Sequence, residues 1–281
     1  MPDIYFLNEQ YLKLEDAKVS INDRGFQFGD SVYEVIRSYR GKLFHLDMHL
    51  KRFESSAEQL EIPMPYPQRD LRVKVEEAYL KSEYPEAKIY LQLTRGTSER
   101  GHAYPPGLVP TFLITVLELR PFPTELKKKG VEIVSIQDIR WGRCDIKSTN
   151  LLANVLAQQK AKREGVYEAV MIRNNKVTEG SISNFFLVKE GGVLTPPLNH
   201  DILPGVTRDL VLMIARDLKI TVREETIPAN EIYDADEVFL SGTTVEIVPV
   251  VRIDGRQIGN GLPGLVTKRL IEEFQIYTKI A

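Results

Sequence analysis

The chain has 281 residues, 37 Lys plus Arg against 39 Asp plus Glu, a net charge of -2, and a composition 43% hydrophobic and 27% charged. That is the balance of a soluble globular protein, long enough for two domains or one large one and able to bury a core without covalent staples. It carries no basic field that would favour nucleic acid or anionic lipid, so any anion site must be local. The lone Cys144 excludes an intrachain disulfide and a cysteine-rich metal centre. His45, His49, His102 and His200 are dispersed, with no HExxH-type pair, so no metal is expected. The opening MPDIYFLNEQ lacks the basic and apolar regions of a signal peptide, and no apolar stretch approaches the about 20 residues that cross a bilayer. These features predict a cytoplasmic protein without membrane contact.

In chain order, residues 4–7 and 11–14 flank Asn8-Glu9-Gln10 and predict a hairpin. Residues 31–39 and 42–46 predict a second hairpin through Arg40-Gly41. Asp47 looks like the N-cap of a helix to about Leu60, with Met48, Leu50, Phe53, Ala57 and Leu60 at helical spacing. A second helix is predicted from about Arg69 to Leu80, then strands 88–94 and 111–118 around a polar, proline-rich loop, 95–110. The prolines and basic run after Glu118 make residues 119–124 a candidate domain linker, or else a surface loop within one domain.

The second half opens with strand 131–137. A helix follows Lys147, with Ser148 or Thr149 as its cap, Leu151, Leu152, Val155 and Leu156 on one side, and Gly165 at its end. Strands 167–173 and 176–178 flank the Asn174-Asn175 turn, and strand 182–188 turns into 193–195. Pro204-Gly205 opens a helix to about Leu218, strands 237–241 and 247–253 follow, and a helix covers about 264–278. Frequent hairpins and the absence of a βαβ series predict largely antiparallel sheets.

Lys147 lies in RWGRCDIKSTN. A lysine in such a place is ordinarily a solvated surface charge. Ile146 and the apolar helix beyond it suggest a partly buried backbone, and Arg140 and Arg143 add positive charge. Desolvation and neighbouring cations both favour a neutral amine, the nucleophile that condenses with an aldehyde. Thr178-Glu179-Gly180-Ser181, with Asn184 three residues on, reads either as a turn with a satisfied carboxylate or as an acid held against a pyridine nitrogen. Three segments suit a phosphate: Leu203-Pro204-Gly205-Val206-Thr207 at a helix start, Gly242-Thr243-Thr244 at a strand end, and Arg52 on the 47–60 helix. Caps and turns use the same residue types, and none of the three matches nucleotide-binding glycine spacings. In the loop Thr94–His102, Arg100 and His102 at i, i+2 can point the same way and clamp a carboxylate, or remain solvated.

Together these segments resemble the fold-type IV enzymes dependent on pyridoxal 5'-phosphate (PLP), and among them the D-amino-acid aminotransferase family. The resemblance spans nearly the whole chain, through DRGFQFGDSVYEV (23–35), RGTSERGH (95–102), DIRWGRCDIKSTNLLANVLA (138–157), VTEGSISNFF (177–186), ILPGVTRD (202–209) and SGTTVEIVPV (241–250). The RGTSxRxH pattern is the narrow element. Branched-chain aminotransferases and aminodeoxychorismate lyases lack its pairing of arginine and histidine.

The resemblance implies a mixed α/β (α+β) fold of two domains, 1–118 and 125–281, the second barrel-like. It implies that Lys147 forms the Schiff base with PLP and shuttles the proton. Glu179 would meet the pyridine nitrogen, and Arg140 would lie near the phenolic oxygen. Leu203 would support the ring. Arg52, Val206, Thr207, Thr243 and Thr244 would hold the phosphate. Tyr33, Arg100 and His102 would trap the substrate carboxylate, the last two reaching into the neighbouring subunit of a homodimer. The implied substrates are D-amino acids such as D-alanine and 2-oxo acids such as 2-oxoglutarate. Alternatives are branched-chain L-amino-acid or (R)-amine transamination, aminodeoxychorismate lysis, or a non-catalytic binding protein. Glu99 and Gly101 are departures beside the trap, one adding negative charge and the other backbone freedom.

Overall fold

The computed structural model describes residues 2–280. The chain forms two compact units, which part at Pro121/Phe122. The first contains β1 (Ile4–Leu7), β2 (Gln10–Leu12), α1 (Arg24–Phe28), β3 (Ser31–Tyr39), β4 (Lys42–Leu43), α2 (Leu46–Gln59), α3 (Gln68–Ser82), β5 (Ala87–Thr94) and β6 (Thr111–Glu118). Its sheet runs β2-β1-β6-β5-β3-β4, antiparallel throughout. Alternation along β5 and β6 turns Ile89, Leu91, Ile114 and Val116 inward. The i, i+3, i+4, i+7 stripe of α2 (Leu46, His49, Leu50, Phe53) meets that face. Each such buried apolar side chain contributes about 1.5–3 kcal/mol.

The second unit contains α4 (Thr124–Lys129), β7 (Val131–Gln137), α5 (Leu152–Arg163), β8 (Glu168–Arg173), β9 (Lys176–Gly180), β10 (Asn184–Lys189), β11 (Gly192–Thr195), α6 (Val206–Asp217), β12 (Val222–Glu224), β13 (Glu237–Gly242), β14 (Glu246–Ile253), β15 (Arg256–Gln257) and α7 (Leu265–Ile280). Eight of its strands run β12-β11-β10-β13-β14-β7-β8-β9, and β15 pairs with β14. The pairs β11/β12, β14/β7 and β7/β8 are parallel, so this sheet is mixed. Gly180 N–H donates to Ser183 O (2.8 Å), which brings the end of β9 to the start of β10 and curls the sheet into a half-barrel.

Several expectations are corrected by packing. Asp47 lies inside the first turn of α2 and pairs with Arg72, while His45, at a left-handed φ of 49°, precedes the helix. The candidate linker is partly structured: Thr124 begins α4, and the Phe122 ring packs edge-on against Tyr167. A single cut at the linker does not describe residues Ile146–Asn150, which pack with the first unit. Ser148 and Thr149 do not cap a helix there. Ser148 bridges Val32 and Thr149 N–H donates to Ser31 O (3.0 Å), so the chain runs alongside β3 and turns into helix only after Leu151. The apolar side of α5 also faces outward: Leu152, Val155 and Leu156 are 73%, 58% and 53% exposed. Ala157 and Ala161 are its buried residues, packed against Val134 and Ala169, because small side chains let the helix lie close to the sheet.

Candidate active site

In the first unit, the site is built on β3. Tyr33 N–H donates to Lys147 O (2.9 Å), and Lys147 N–H donates to Ser56 Oγ of α2 (3.1 Å). Ile146 is buried in the first core, so the segment is fastened on both sides of the lysine. The half-buried Lys147 places its Nζ 4.3 Å from the centroid of the Tyr33 ring, a cation–π contact that orients the amine.

Strand alternation sends the next side chain, Glu34, to the opposite face, toward α2. Glu34 is fully buried and accepts from Arg52 Nε (2.9 Å) and Nη2 (2.7 Å), with His49 Nδ1 at 3.0 Å. Burial alone would raise its carboxyl, but Arg52 and His49 overcome that and hold it well below the usual carboxylate range. Arg52 is therefore anchored by a bidentate carboxylate, and its position is set by two residues, Glu34 and His49, that were not singled out in the sequence.

The loop between β5 and β6 carries Arg100 and His102, both exposed. The Arg100 guanidinium lies 4.7 Å from the Phe28 ring centroid, and the His102 ring 5.7 Å from the same ring. Both side chains thus contact one aromatic ring, Phe28.

In the second unit the centre is Glu179 on β9, buried at 6% exposure. Arg140 Nη1 donates to its Oε1, while Asn184 Nδ2 (3.0 Å) and Leu203 N–H (3.1 Å) donate to Oε2. Burial raises this carboxyl above its ordinary value, and Arg140 and the Leu203 N–H oppose the rise without cancelling it. Arg140 also forks onto Asp138 (3.0 and 2.8 Å) and donates to Asp201 O (2.9 Å). Burial works against the charge of Arg140, but Asp138 and Glu179 together hold it firmly cationic. Asp138, overlooked in the sequence, is pushed up by burial but brought below its ordinary value by Arg140.

Arg140 and Arg143, expected to add positive charge, are both paired with carboxylates. Arg140 is bonded to two carboxylates, and Arg143 forks onto Asp145 (3.0 and 2.9 Å).

Asn184 ties the second unit's candidate segments together. It donates to Leu203 O (2.9 Å) as well as to Glu179, and a Cβ on Gly205 would fall 2.0 Å from its Oδ1. Only glycine allows the chain that close at the start of α6. Gly205 precedes α6 with no side-chain cap, leaving the first-turn N–H groups of Val206 and Thr207 without a side-chain acceptor from that position. Asn184 also pairs in register with Ser241, at the end of β13, next to Gly242-Thr243-Thr244. Behind Glu179, the fully buried Glu168 accepts from Ile182 N–H (2.9 Å) and Ser183 Oγ (2.8 Å), and burial pushes its carboxyl up to about 7. Cys144 is buried, its thiol pushed up to about 11 by burial, and its N–H donates to His200 O (2.8 Å), a structural setting.

This donor set fits PLP. A buried carboxylate backed by an arginine suits a protonated pyridine nitrogen, an uncapped helix start suits a phosphate, and an oriented lysine amine suits an aldehyde.

Comparison with known proteins agrees. Residues 31–253 match the amino-transferase class IV family. The chain is 40% identical to the D-alanine aminotransferase of Staphylococcus haemolyticus over 272 residues, 97% of this chain and 96% of that protein. It is 39% identical to that of Bacillus licheniformis, over 94% and 93%. Its fold is similar to the branched-chain amino acid aminotransferase of Escherichia coli (TM-score 0.91, 31% identity, 97% and 93% covered). It is also similar to the T.th. branched-chain amino acid aminotransferase with pyridoxamine 5'-phosphate (TM-score 0.93, 29% identity, 98% and 93% covered). The chain belongs to the class IV aminotransferases, enzymes of fold type IV that depend on PLP.

Proposed function

We propose that this aminotransferase takes D-amino acids, such as D-alanine, and passes the amino group to a 2-oxo acid such as 2-oxoglutarate. The observation that carries this reading is the pair Arg100 and His102 on the Phe28 ring, cationic and polar groups presented together for a carboxylate. The identity to D-alanine aminotransferases, 40% over nearly the whole chain, supports it. The branched-chain reading rests on fold likeness at 29% and 31% identity.

PLP, when bound, supplies an electron sink for the pair left when a substrate Cα–H bond breaks. The residues divide the remaining work. Lys147 holds the cofactor through Nζ, then acts as the base that takes the Cα proton and returns it. Glu179 holds a proton on the pyridine nitrogen. Arg140 opposes the rise that burial imposes on the Glu179 carboxyl, and any contact with the phenolic oxygen would use the same guanidinium. Arg52, with the N–H and hydroxyl groups of Val206, Thr207, Thr243 and Thr244, holds the phosphate. Leu203 flanks the ring. Tyr33, Arg100 and His102 fix the carboxylate, and so decide which hydrogen of Cα faces the base.

A homodimer completes the reading, with Arg100 and His102 serving the neighbouring subunit. The exposed Ile21, Phe26 and Val109 of the first unit, and Leu152, Val155 and Leu156 of the second, are apolar surfaces that a second copy could cover. A cytoplasmic location is in keeping with the single free thiol. No helix among the described residues is long and apolar enough to cross a membrane.

The test is a panel of D-alanine, D-glutamate, L-leucine and an (R)-amine with one 2-oxo acceptor. Conversion of the two D-amino acids, weakened on Arg100→Ala through a raised KM, supports the proposal. Turnover of L-leucine alone overturns it.

A further inference from the structure

Arg24 is a buried guanidinium outside every role assigned above. Its backbone N–H donates to Gly96 O (2.9 Å), at one end of the loop that carries Arg100 and His102. Its side chain reaches further along the same loop: Nη1 donates to Gly101 O (2.8 Å) and Nη2 to His102 O (3.0 Å). One rigid fork thus holds two consecutive carbonyls and fixes the peptide plane between them. The Nε donates to Asp30 Oδ2 (2.8 Å), a charge-assisted bond that fixes the direction of the guanidinium.

The same Asp30 oxygen accepts from Arg95 Nε (2.8 Å), whose other nitrogens donate to Glu61 O (2.9 Å) and Leu60 O (2.6 Å). Asp30 directly precedes β3, the strand of Tyr33. Arg24 also lies 4.8 Å from the Phe28 ring centroid, so it braces the ring on which Arg100 and His102 rest.

The loop needs such a clamp. Gly101 has the widest backbone freedom of any residue type, and a Cβ there would meet only Ala103 O, at 3.7 Å. Crowding does not restrain this position; the two hydrogen bonds from Arg24 do.

We propose that Arg24 is a specificity-determining positioning residue, whose fork onto Gly101 and His102 holds Arg100 and His102 in register for the substrate carboxylate. The proposal rests on the carboxylate-trap reading of that loop. It assigns recognition of the carboxylate, as distinct from the chemistry at Cα, to a residue that never touches substrate.

The test compares the holoenzyme with Arg24→Lys, Arg24→Met and Asp30→Asn, using Arg100→Ala as reference. The substrates are D-alanine and D-alaninol, which differ only in the carboxylate. KM and kcat are measured for D-alanine, single-turnover rates for D-alaninol, and melting temperature and bound PLP for each variant. Arg24→Lys keeps the charge but loses the fork, and Asp30→Asn keeps the shape of the anchor, so either serves if Arg24→Met fails to fold.

The expected result is a KM for D-alanine raised ~10-fold by Arg24→Lys, the loss of one or two charge-assisted hydrogen bonds. Its kcat, bound PLP and D-alaninol rate should stay within about twofold of wild type, well below that tenfold step. Equal losses on D-alanine and D-alaninol would mean that Arg24 is merely structural and would overturn the proposal. So would an unchanged KM in the Arg24 variants beside a raised KM in Arg100→Ala. If Arg100→Ala itself leaves KM unmoved, the trap reading falls, and that result is distinct from failure of Arg24 alone.

Discussion

The Glu179 cluster and the Arg100/His102 loop handle charge in opposite ways. Glu179 is buried, and its carboxyl is answered by Arg140, Asn184 and the Leu203 N–H. Arg100 and His102 are exposed: their side chains lie against the Phe28 ring, Arg100 also donates to Gln27 Oε1 (3.4 Å), and Arg24 holds the Gly101 and His102 carbonyls from behind. The buried cluster can tune the strength of a charge, because desolvation magnifies every nearby partner. The exposed loop can only aim one. On the proposed function, chemistry common to all substrates belongs to the first region, and choice among substrates to the second.

The sharpest break between them is Glu179→Gln. It should lower kcat ~100-fold or more, the scale for losing one preorganised electrostatic contact, and equally for D-alanine and D-alaninol. Next is Arg140→Met, read by pH profile. Burial already lifts Glu179 above its ordinary value, and Arg140 restrains the rise. The carboxylate is lost as pH falls through that raised value. Removing Arg140 should move the acid limb to higher pH and lower kcat ~10-fold at neutral pH. Arg100→Ala should spare kcat and raise KM for D-alanine ~10-fold, the mirror image of Glu179→Gln.

The smallest effect on turnover belongs to a variant that tests the buried region by its stability, without touching its chemistry. The Glu168 carboxyl is raised from 4.5 to about 7 by burial, so the folded state binds more protons than the unfolded one between those values. Stability should therefore decline as pH rises across that window. Glu168→Gln should flatten the slope in urea titrations at pH 5 and pH 8, by up to about 3 kcal/mol. An unchanged slope would show that Glu168 is ionised throughout.

Legibility in the sequence followed the same division. Strands β5 and β6 and helix α2 were readable because alternation and helical spacing report a face buried against one neighbour. The outward side of α5 was not, because apolar spacing tells that a face is sticky and not what covers it. Lys147, Glu179, Arg100 and His102 stood out by motif. Their supports, Asp138, Glu34 and Arg24, did not. Glu34 and Arg24 act through partners that only folding brings close: Glu34 meets Arg52 18 positions on, and Arg24 meets Gly101 77 positions on. The packing of Ile146–Asn150 with the first unit was hidden for the same reason. Residues that look like helix caps are held through their backbone by β3, more than a hundred residues earlier.

The division of labour is tested most directly by a stereochemical comparison on one preparation: D-alanine against L-leucine, each with 2-oxoglutarate, before and after Arg100→Ala. The account predicts pyruvate from D-alanine, negligible product from L-leucine, and loss of the D-alanine reaction at low substrate in the variant while bound PLP is retained. Turnover of L-leucine in preference to D-alanine, unchanged by Arg100→Ala, would contradict it.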